Sequence, residues 1–348
     1  MSPRAVLGTA LFGRAVGAGG AVLDGGPAPL GRKRACSPRI PSPRERVAIC
    51  EPFWTGIRAL DGPLAFGRGA RIGIFGAAGA GKSTLLEALV AGSRADATVV
   101  ALIGERGREA ERWLRRCGPR TSIVCATSDR PAAERLAAAA LAFAQAAALR
   151  ARGLHVLLVL DSLARVAAAA RDRAVAQGEP LGRGGFPPSV TAHQARLLEI
   201  AGATASGSVT LVATVLSESA LEQDPVAEAA RAALDGHVIL SRRLAAAGWF
   251  PAIDLPASAS RTLAEVASPA HRAAAARLRA AVTALDDSRD ARSLGIDPGA
   301  GDPALARAIA AEDRIAAFLR QSQGGADPAE TLIRMTEIAD SLDDGYLP

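Results

Sequence analysis

The chain has 348 residues, 49% hydrophobic and 22% charged, a composition that excludes disorder as a description of the whole. Its 41 Lys and Arg against 35 Asp and Glu leave a net charge of +6, and residues 1–50 carry that entire excess through eight Lys or Arg against Asp24 and Glu45. Residues 51–348 therefore balance to zero, which argues against a nucleic-acid-binding body.

In chain order, residues 1–46 are rich in Gly, Pro and Arg, with turn signals at 24–29 and 37–46. They are expected to form extended or loosely ordered backbone with little core. Arg14 and several glycines interrupt any apolar leader there. Strand-length apolar runs then follow at 70–76, 98–105, 122–128, 155–162, 208–216 and 237–241. Most are near-continuously apolar, as strands covered on both faces require, and Ala/Leu/Arg-rich helical stretches such as 128–153 lie between the early ones. This alternation predicts an α/β fold with a doubly wound, mainly parallel sheet. The longest uncharged stretch, 200–217, is broken by Gly, Ser and Thr, so no membrane span is read from it and a soluble protein is expected. Beyond about 265 the strands stop. Three helices are predicted, opened by Ser268-Pro269, Asp302-Pro303 and Asp327-Pro328, each pairing a capping side chain with a proline at the first helical position.

The sharpest local signal is Gly76–Ser83, "GAAGAGKS", which fits G-x-x-x-x-G-K-[ST] between an apolar strand and a helical stretch. Gly76, Gly79, Ala80 and Gly81 leave the backbone open, so that main-chain N–H groups can wrap a triphosphate at a helix N-terminus. Lys82 would neutralise the β/γ oxygens, Ser83 would ligate Mg2+, and Thr84 continues the cradle. The chain holds two lysines, Lys33 and Lys82, among 41 positive residues, so an internal Lys at this position points to a chemical requirement.

Asp161 ends the run 155–162 and would stand at the carboxyl edge of the sheet, where it could hold Mg2+ through water or simply cap a turn. Glu105, ending the run 98–105, could polarise an attacking water. A solvated cluster with Arg106, Arg108, Glu109, Glu111 and Arg112 reads equally well from the residues alone. Cys36, Cys50, Cys117 and Cys125 lack C-x-x-C spacing and are expected to be reduced structural thiols in a cytoplasmic protein. The four scattered histidines are read as structural.

Over about 50–265, and more loosely to 322, the ordered series "EPFWTGIRALDG" (51–62), "RIGIFGAAGAGKSTLL" (71–86), "ALIGERGRE" (101–109), "LLVLDSLAR" (157–165), "GEPLGRGGFPPSV" (178–190) and "GWFPAIDLPASASR" (248–261) resembles the ATPases of type III protein secretion, in injectisomes and flagella. These are relatives of the rotary ATP-synthase catalytic subunit. The resemblance implies a RecA-like P-loop core over 47–265, a helical C-terminal domain over 266–348, and a remnant of an N-terminal β-barrel or basic linker over 1–46, with most of the barrel truncated.

It further implies ATP and Mg2+ as cofactors. Lys82 and Ser83 become phosphate and metal contacts, Asp161 the outer metal carboxylate, and Glu105 the catalytic carboxylate. Arg106 and Arg165 lie around the γ-phosphate, Phe250 stands against adenine, and Arg261 is an arginine finger for a neighbouring subunit. Glu228-Ala229 stands where the family carries Asp-Glu, a departure expected to weaken an interface contact.

The implied activity is Mg-dependent ATP hydrolysis by a hexameric ring that drives unloading, unfolding and export of proteins. Implied partners are stator or stalk and export-gate proteins and chaperone–substrate complexes, with peripheral contact at the inner membrane and no nucleic acid. A catalytically weak, nucleotide-binding scaffold subunit is the alternative. A hexameric nucleic-acid translocase on a related core is the third reading, prompted by the basic lead.

Overall fold

Each apolar run named above becomes a strand in the computed structural model, which describes residues 3–216, 224–296 and 298–343. In chain order the strands are β1 (Arg4–Ala5), β2 (Arg14–Val16), β3 (Arg34–Ala35), β4 (Pro52–Phe53), β5 (Phe66–Gly67), β6 (Arg71–Gly76) and β7 (Ala97–Ile103). There follow β8 (Thr121–Ala126), β9 (His155–Asp161), β10 (Gly202–Thr204), β11 (Gly207–Leu216), β12 (Gly236–Leu240) and β13 (Ile253–Ser260). By contact the chain forms two compact units, one holding Met1–Ile49, Arg68–Ala78 and Ala95–His237, the other Cys50–Gly67, Gly79–Arg94 and Val238–Pro348.

The first unit is built on a parallel sheet in the order β6-β11-β9-β7-β8-β2, with β10 folding back antiparallel on β11. Every residue of β7 and β9 is buried, which is why these segments read as unbroken apolar runs. The helices Ala132–Arg150 and Leu163–Ala176 pack on these strands. Length and apolar composition alone would let Ala132–Arg150 cross a bilayer, but its face of Leu136, Leu141, Phe143 and Leu149 is buried within this unit.

The basic lead departs from expectation. Ala5, Leu11, Ala15, Val16 and Cys36 are buried, and β2 runs parallel beside β8 as an edge strand of the sheet. Buried Gln145 fixes it: its amide accepts from Gly8 N (2.6 Å) and donates to Gly8 O (2.9 Å) and Ser122 Oγ (3.1 Å), while Ser122 donates to Leu11 O (2.9 Å). Each apolar cluster in the lead is too short to show a period, so this anchoring has no local signature. The thiols also divide. Cys36 and Cys125 are buried, and burial pushes Cys125 up to about 11, whereas Cys50 is exposed and so is no core thiol. Glu228, in the helix Pro225–Ala233, forms an ion pair with Arg183 at 2.9 Å.

In the second unit the predicted caps form. Ser268 accepts from His271 N, Asp302 from the amides of Ala304 and Leu305, and Asp327 from those of Ala329 and Glu330, opening the helices Pro269–Asp287, Pro303–Ala310 and Pro328–Asp340. Each such cap is worth about 1 kcal/mol. Phe318 and Met335 are fully buried and reach Gly62, where a Cβ would meet Phe318 Cζ at 3.2 Å and Met335 Sδ at 3.0 Å. Phe53 and Phe66 face each other across the β4–β5 pair. The strand β13, which pattern reading did not anticipate, pairs with β12, and Pro256 sits within it as an edge strand allows.

Candidate active site

The phosphate loop leaves the end of β6 at Gly76 and enters the helix Lys82–Gly92. Gly79 (φ 78°) and Gly81 (φ 92°) take left-handed backbone, which a Cβ would strain. Ala80 is sealed in, while Lys82 and Ser83 are half-buried and Thr84 is exposed. No side chain caps this helix, so its N-terminus presents the positive end of the helix dipole. Such an arrangement receives an anion.

A second group assembles in the sheet unit. Asp161 ends β9 and is 6% exposed, and buried Thr214 of β11 donates to its Oδ1 at 2.6 Å. The register sets this bond: Ala213 lies opposite Leu160 and Leu216 opposite Gly76, so β9, β11 and β6 end at one edge. On the other side Leu102 of β7 lies opposite Asp161, and Gly104 and Glu105 follow. A Cβ on Gly104 would come within 2.9 Å of Arg165 Cβ, so the Arg165 stem crosses that glycine. Arg165 lies in the first turn of Leu163–Ala176, whose cap is Ser162.

Glu105 is half-buried and hydrogen-bonded to Glu109. Its carboxyl is pushed up to about 7, first by burial, then by the charge of Asp161 and by Glu109, against the opposing charge of Arg165. A carboxyl raised to about 7 can exchange a proton near neutrality. Arg106 is exposed ahead of the helix Gly107–Leu114.

The third group lies in the helical unit. Ile57, Leu85, Ala88, Phe250 and Pro251 form the apolar wall of a pocket to which Gly81 also contributes. A Cβ on Gly81 would touch the Phe250 ring at 3.6 Å. Phe250 is 40% exposed, unusual for so large an apolar ring. Gln321 pins the opposite wall: its N–H donates to Phe250 O (2.8 Å), its Oε1 accepts from Arg58 N (3.0 Å), and its Nε2 donates to Gly56 O (2.7 Å). Flat apolar walls with a few amides suit a heteroaromatic base. Arg261 follows β13, exposed and without a hydrogen bond or ion pair among the described residues.

The structure thus gathers Glu105, Asp161 and Arg165 in one group and Gly81, Thr84 and Phe250 in another, while Arg106 and Arg261 reach outward. Sequence reading missed Thr214 and Gln321. A lone Thr in an apolar strand becomes visible only through register, and Gln321 only through long-range pairing. Among the described residues no cluster of three or more His, Cys, Asp or Glu could hold a metal by itself. A hydroxyl and a carboxylate are nevertheless the hard oxygen donors that Mg2+ takes when phosphates and water complete its shell.

Residues 56–260 match the nucleotide-binding domain of the ATP synthase alpha/beta family, and residues 267–337 match the C-terminal domain of the type III secretion ATPase EscN. The type 3 secretion system ATPase of Pseudomonas syringae pv. syringae is 44% identical over 306 residues, 86% of this chain and 68% of the relative. The flagellum-specific ATP synthase of Salmonella typhimurium is 42% identical over 324 residues, 90% of this chain and 71% of the relative. Assembled EscN of enteropathogenic E. coli superposes with a TM-score of 0.92 at 39% identity, covering 97% of this chain and 83% of EscN. EscN in complex with its central stalk EscO superposes with a TM-score of 0.90 at 38% identity, with the same coverage.

Proposed function

The chain belongs to the type III secretion ATPase family, and from that premise we propose that it is a Mg-dependent ATP hydrolase that works as a ring and energises unloading, unfolding and export of proteins. One observation carries the reading: β6 ends at Gly76, the first residue of the phosphate loop, at the same sheet edge where β9 ends in Asp161 and Glu105 follows β7. The matches over 56–260 and 267–337 support an ATPase domain over 47–265 followed by a helical domain over 266–348.

In this reading the loop amides from Gly76 to Thr84 and the Lys82 ammonium grip the triphosphate, and Phe250 stacks on the base. Ser83, with Asp161 through water, would hold Mg2+, which would supply positive charge against the phosphate oxygens. Thr214 fixes the orientation of Asp161. Glu105 accepts a proton from the attacking water, and Arg165 and Arg106 offset charge around the γ-phosphate. The exposed guanidinium of Arg261 serves a neighbouring subunit, a device worth roughly 10³–10⁵ in rate.

Assembled EscN supports a hexameric ring and its EscO complex supports a stalk partner. Export-gate proteins and chaperone–substrate complexes complete the proposed partners. The proposed place of work is the cytoplasm, at the inner face of the membrane.

The test is phosphate release against enzyme concentration with light scattering on the same samples, for the parent and Glu105→Gln. Specific activity that rises as the ring assembles, and that the variant loses while still binding ATP, is expected. Binding without phosphate release by the parent at every concentration would replace this reading with a scaffold subunit.

A further inference from the structure

The sheet unit holds a second charged recess, at the edge remote from the phosphate loop. Ser206 precedes β11 at Gly207, whereas Leu216 at the other end of that strand lies opposite Gly76, so the two edges are about 30 Å apart at 3.3 Å per residue. Arg150, the last residue of the helix Ala132–Arg150, opens into this recess, a cavity of about 610 Å³. Its other polar lining comes from Arg39, Arg44, Glu45, Thr204 and Ser206.

Arg150 is only 6% exposed and has no carboxylate partner among the described residues. Its Nη1 donates to Ile200 O (2.7 Å) and Gly202 O (3.4 Å). Nε and Nη2 make no hydrogen bond among the described residues, and Arg150 lines the cavity. Two parallel N–H donors on one planar edge form the fork that binds an oxyanion in bidentate fashion. A buried cation is costly, and here burial and the nearby charge of Arg46 press the Arg150 pKa down, with the charge of Glu45 opposing them.

The recess does hold one carboxylate, but Glu45 is committed to Arg39 and to Ser42 N (2.8 Å). Glu45 acts on Arg150 only through its charge, without an ion pair among the described residues, so Arg39, Arg44 and Arg150 leave the lining of the recess net positive. The hydroxyls of Thr204 and Ser206, 3.2 Å apart, border the same space.

We propose that this recess binds a soluble small molecule through a phosphoryl group, seated on the Nε–Nη2 edge of Arg150 with Arg44 at the mouth. The cavity volume falls within the usual range for small-molecule sites and leaves room for more than a bare phosphate. The site is independent of the hydrolysis assigned above.

Inorganic phosphate is the probe, titrated against the whole chain by thermal unfolding at constant ionic strength, with MgADP saturating the phosphate loop. Expected are a saturable rise in melting temperature, a phosphate affinity about tenfold weaker in Arg150→Lys, which keeps the charge but loses the fork, and a twofold to fivefold loss, roughly, in Arg44→Ala. Lys82→Ala should keep the full phosphate response, which separates this recess from the loop. Arg44 is exposed and decides the matter if Arg150→Lys fails to fold. A response that does not saturate, or one unchanged in Arg44→Ala, overturns the proposal. So does protein that sediments with phosphatidylglycerol vesicles while dissolved phosphate neither stabilises nor competes.

Discussion

Replacing Glu109 by Gln should move the acid limb of ATP hydrolysis. Glu105 stands at about 7 because it is buried beside two further carboxylates, one of which, Glu109, is hydrogen-bonded to it. The substitution removes the negative charge of Glu109 from beside Glu105. For a generic pair of charges about 5 Å apart in a largely solvated setting, at an effective dielectric of about 60, such repulsion is ~1 kcal/mol, or about 0.8 of a pH unit. The Gln amide can also donate to the Glu105 carboxylate, which favours the ionised form further.

A base must be ionised to accept a proton, so activity falls as pH drops through its pKa. The limb of kcat/KM, which reports the free enzyme, should therefore shift from near 7 to about 6. At pH 6 the ionised fraction rises from about one tenth to about one half, making the variant roughly fivefold faster there and nearly equal to the parent above pH 8. Phosphate release across pH 5.5–9 at limiting ATP measures this. A limb that stays in place, or a uniform loss at every pH, would refute the assignment of Glu105 as the titrating base.

Two further outcomes concern buried carboxylates. Thr214→Val removes the hydroxyl that donates to Asp161 at 2.6 Å and should cost about 1–3 kcal/mol in denaturant midpoint measurements. It should also raise the Mg2+ concentration needed for half-maximal turnover; an unchanged Mg2+ requirement would remove Thr214 from the metal site. Asp61 is pushed from 3.8 up to about 6 by burial, despite accepting from Thr55 N (2.8 Å), Thr55 Oγ1 (2.7 Å) and Gly56 N (2.8 Å). Its folded pKa lies above the unfolded value, so its contribution to stability is full below pH 4 and falls away as pH rises to about 6, by up to ~3 kcal/mol. Asp61→Asn should flatten that slope and, by facing an amide toward Gly56 N–H, lower stability by about 1–3 kcal/mol at pH 7. Urea denaturation at pH 4.5, 5.5 and 7 checks both effects.

How much was legible in advance depended on whether the signal was contiguous. The phosphate loop reads from Gly76 to Ser83 because every atom it needs lies within one turn of chain and the helix that follows. The strands β7 and β9 read as apolar runs because each residue in them is buried. The caps at Ser268, Asp302 and Asp327 read because a cap bonds within three residues of itself.

Glu105 was different. Its neighbours on the chain are charged and mostly exposed, and only the register that brings β7 beside Asp161 separates a half-buried carboxylate raised by its neighbours from a solvated one. The lead was misread for a related reason, since Gln145 and Ser122 hold it from more than 100 residues away. By itself, then, the sequence determined the phosphate cradle, the parallel sheet and the helical ends, all set by short-range sterics and by the burial of continuous runs. Tertiary structure alone decided which carboxylate is raised by its neighbours, which threonine orients Asp161, how Gln321 closes the pocket beside Phe250 and how Arg150 comes to be buried at a cavity, because each depends on desolvation and on groups brought together from distant parts of the chain.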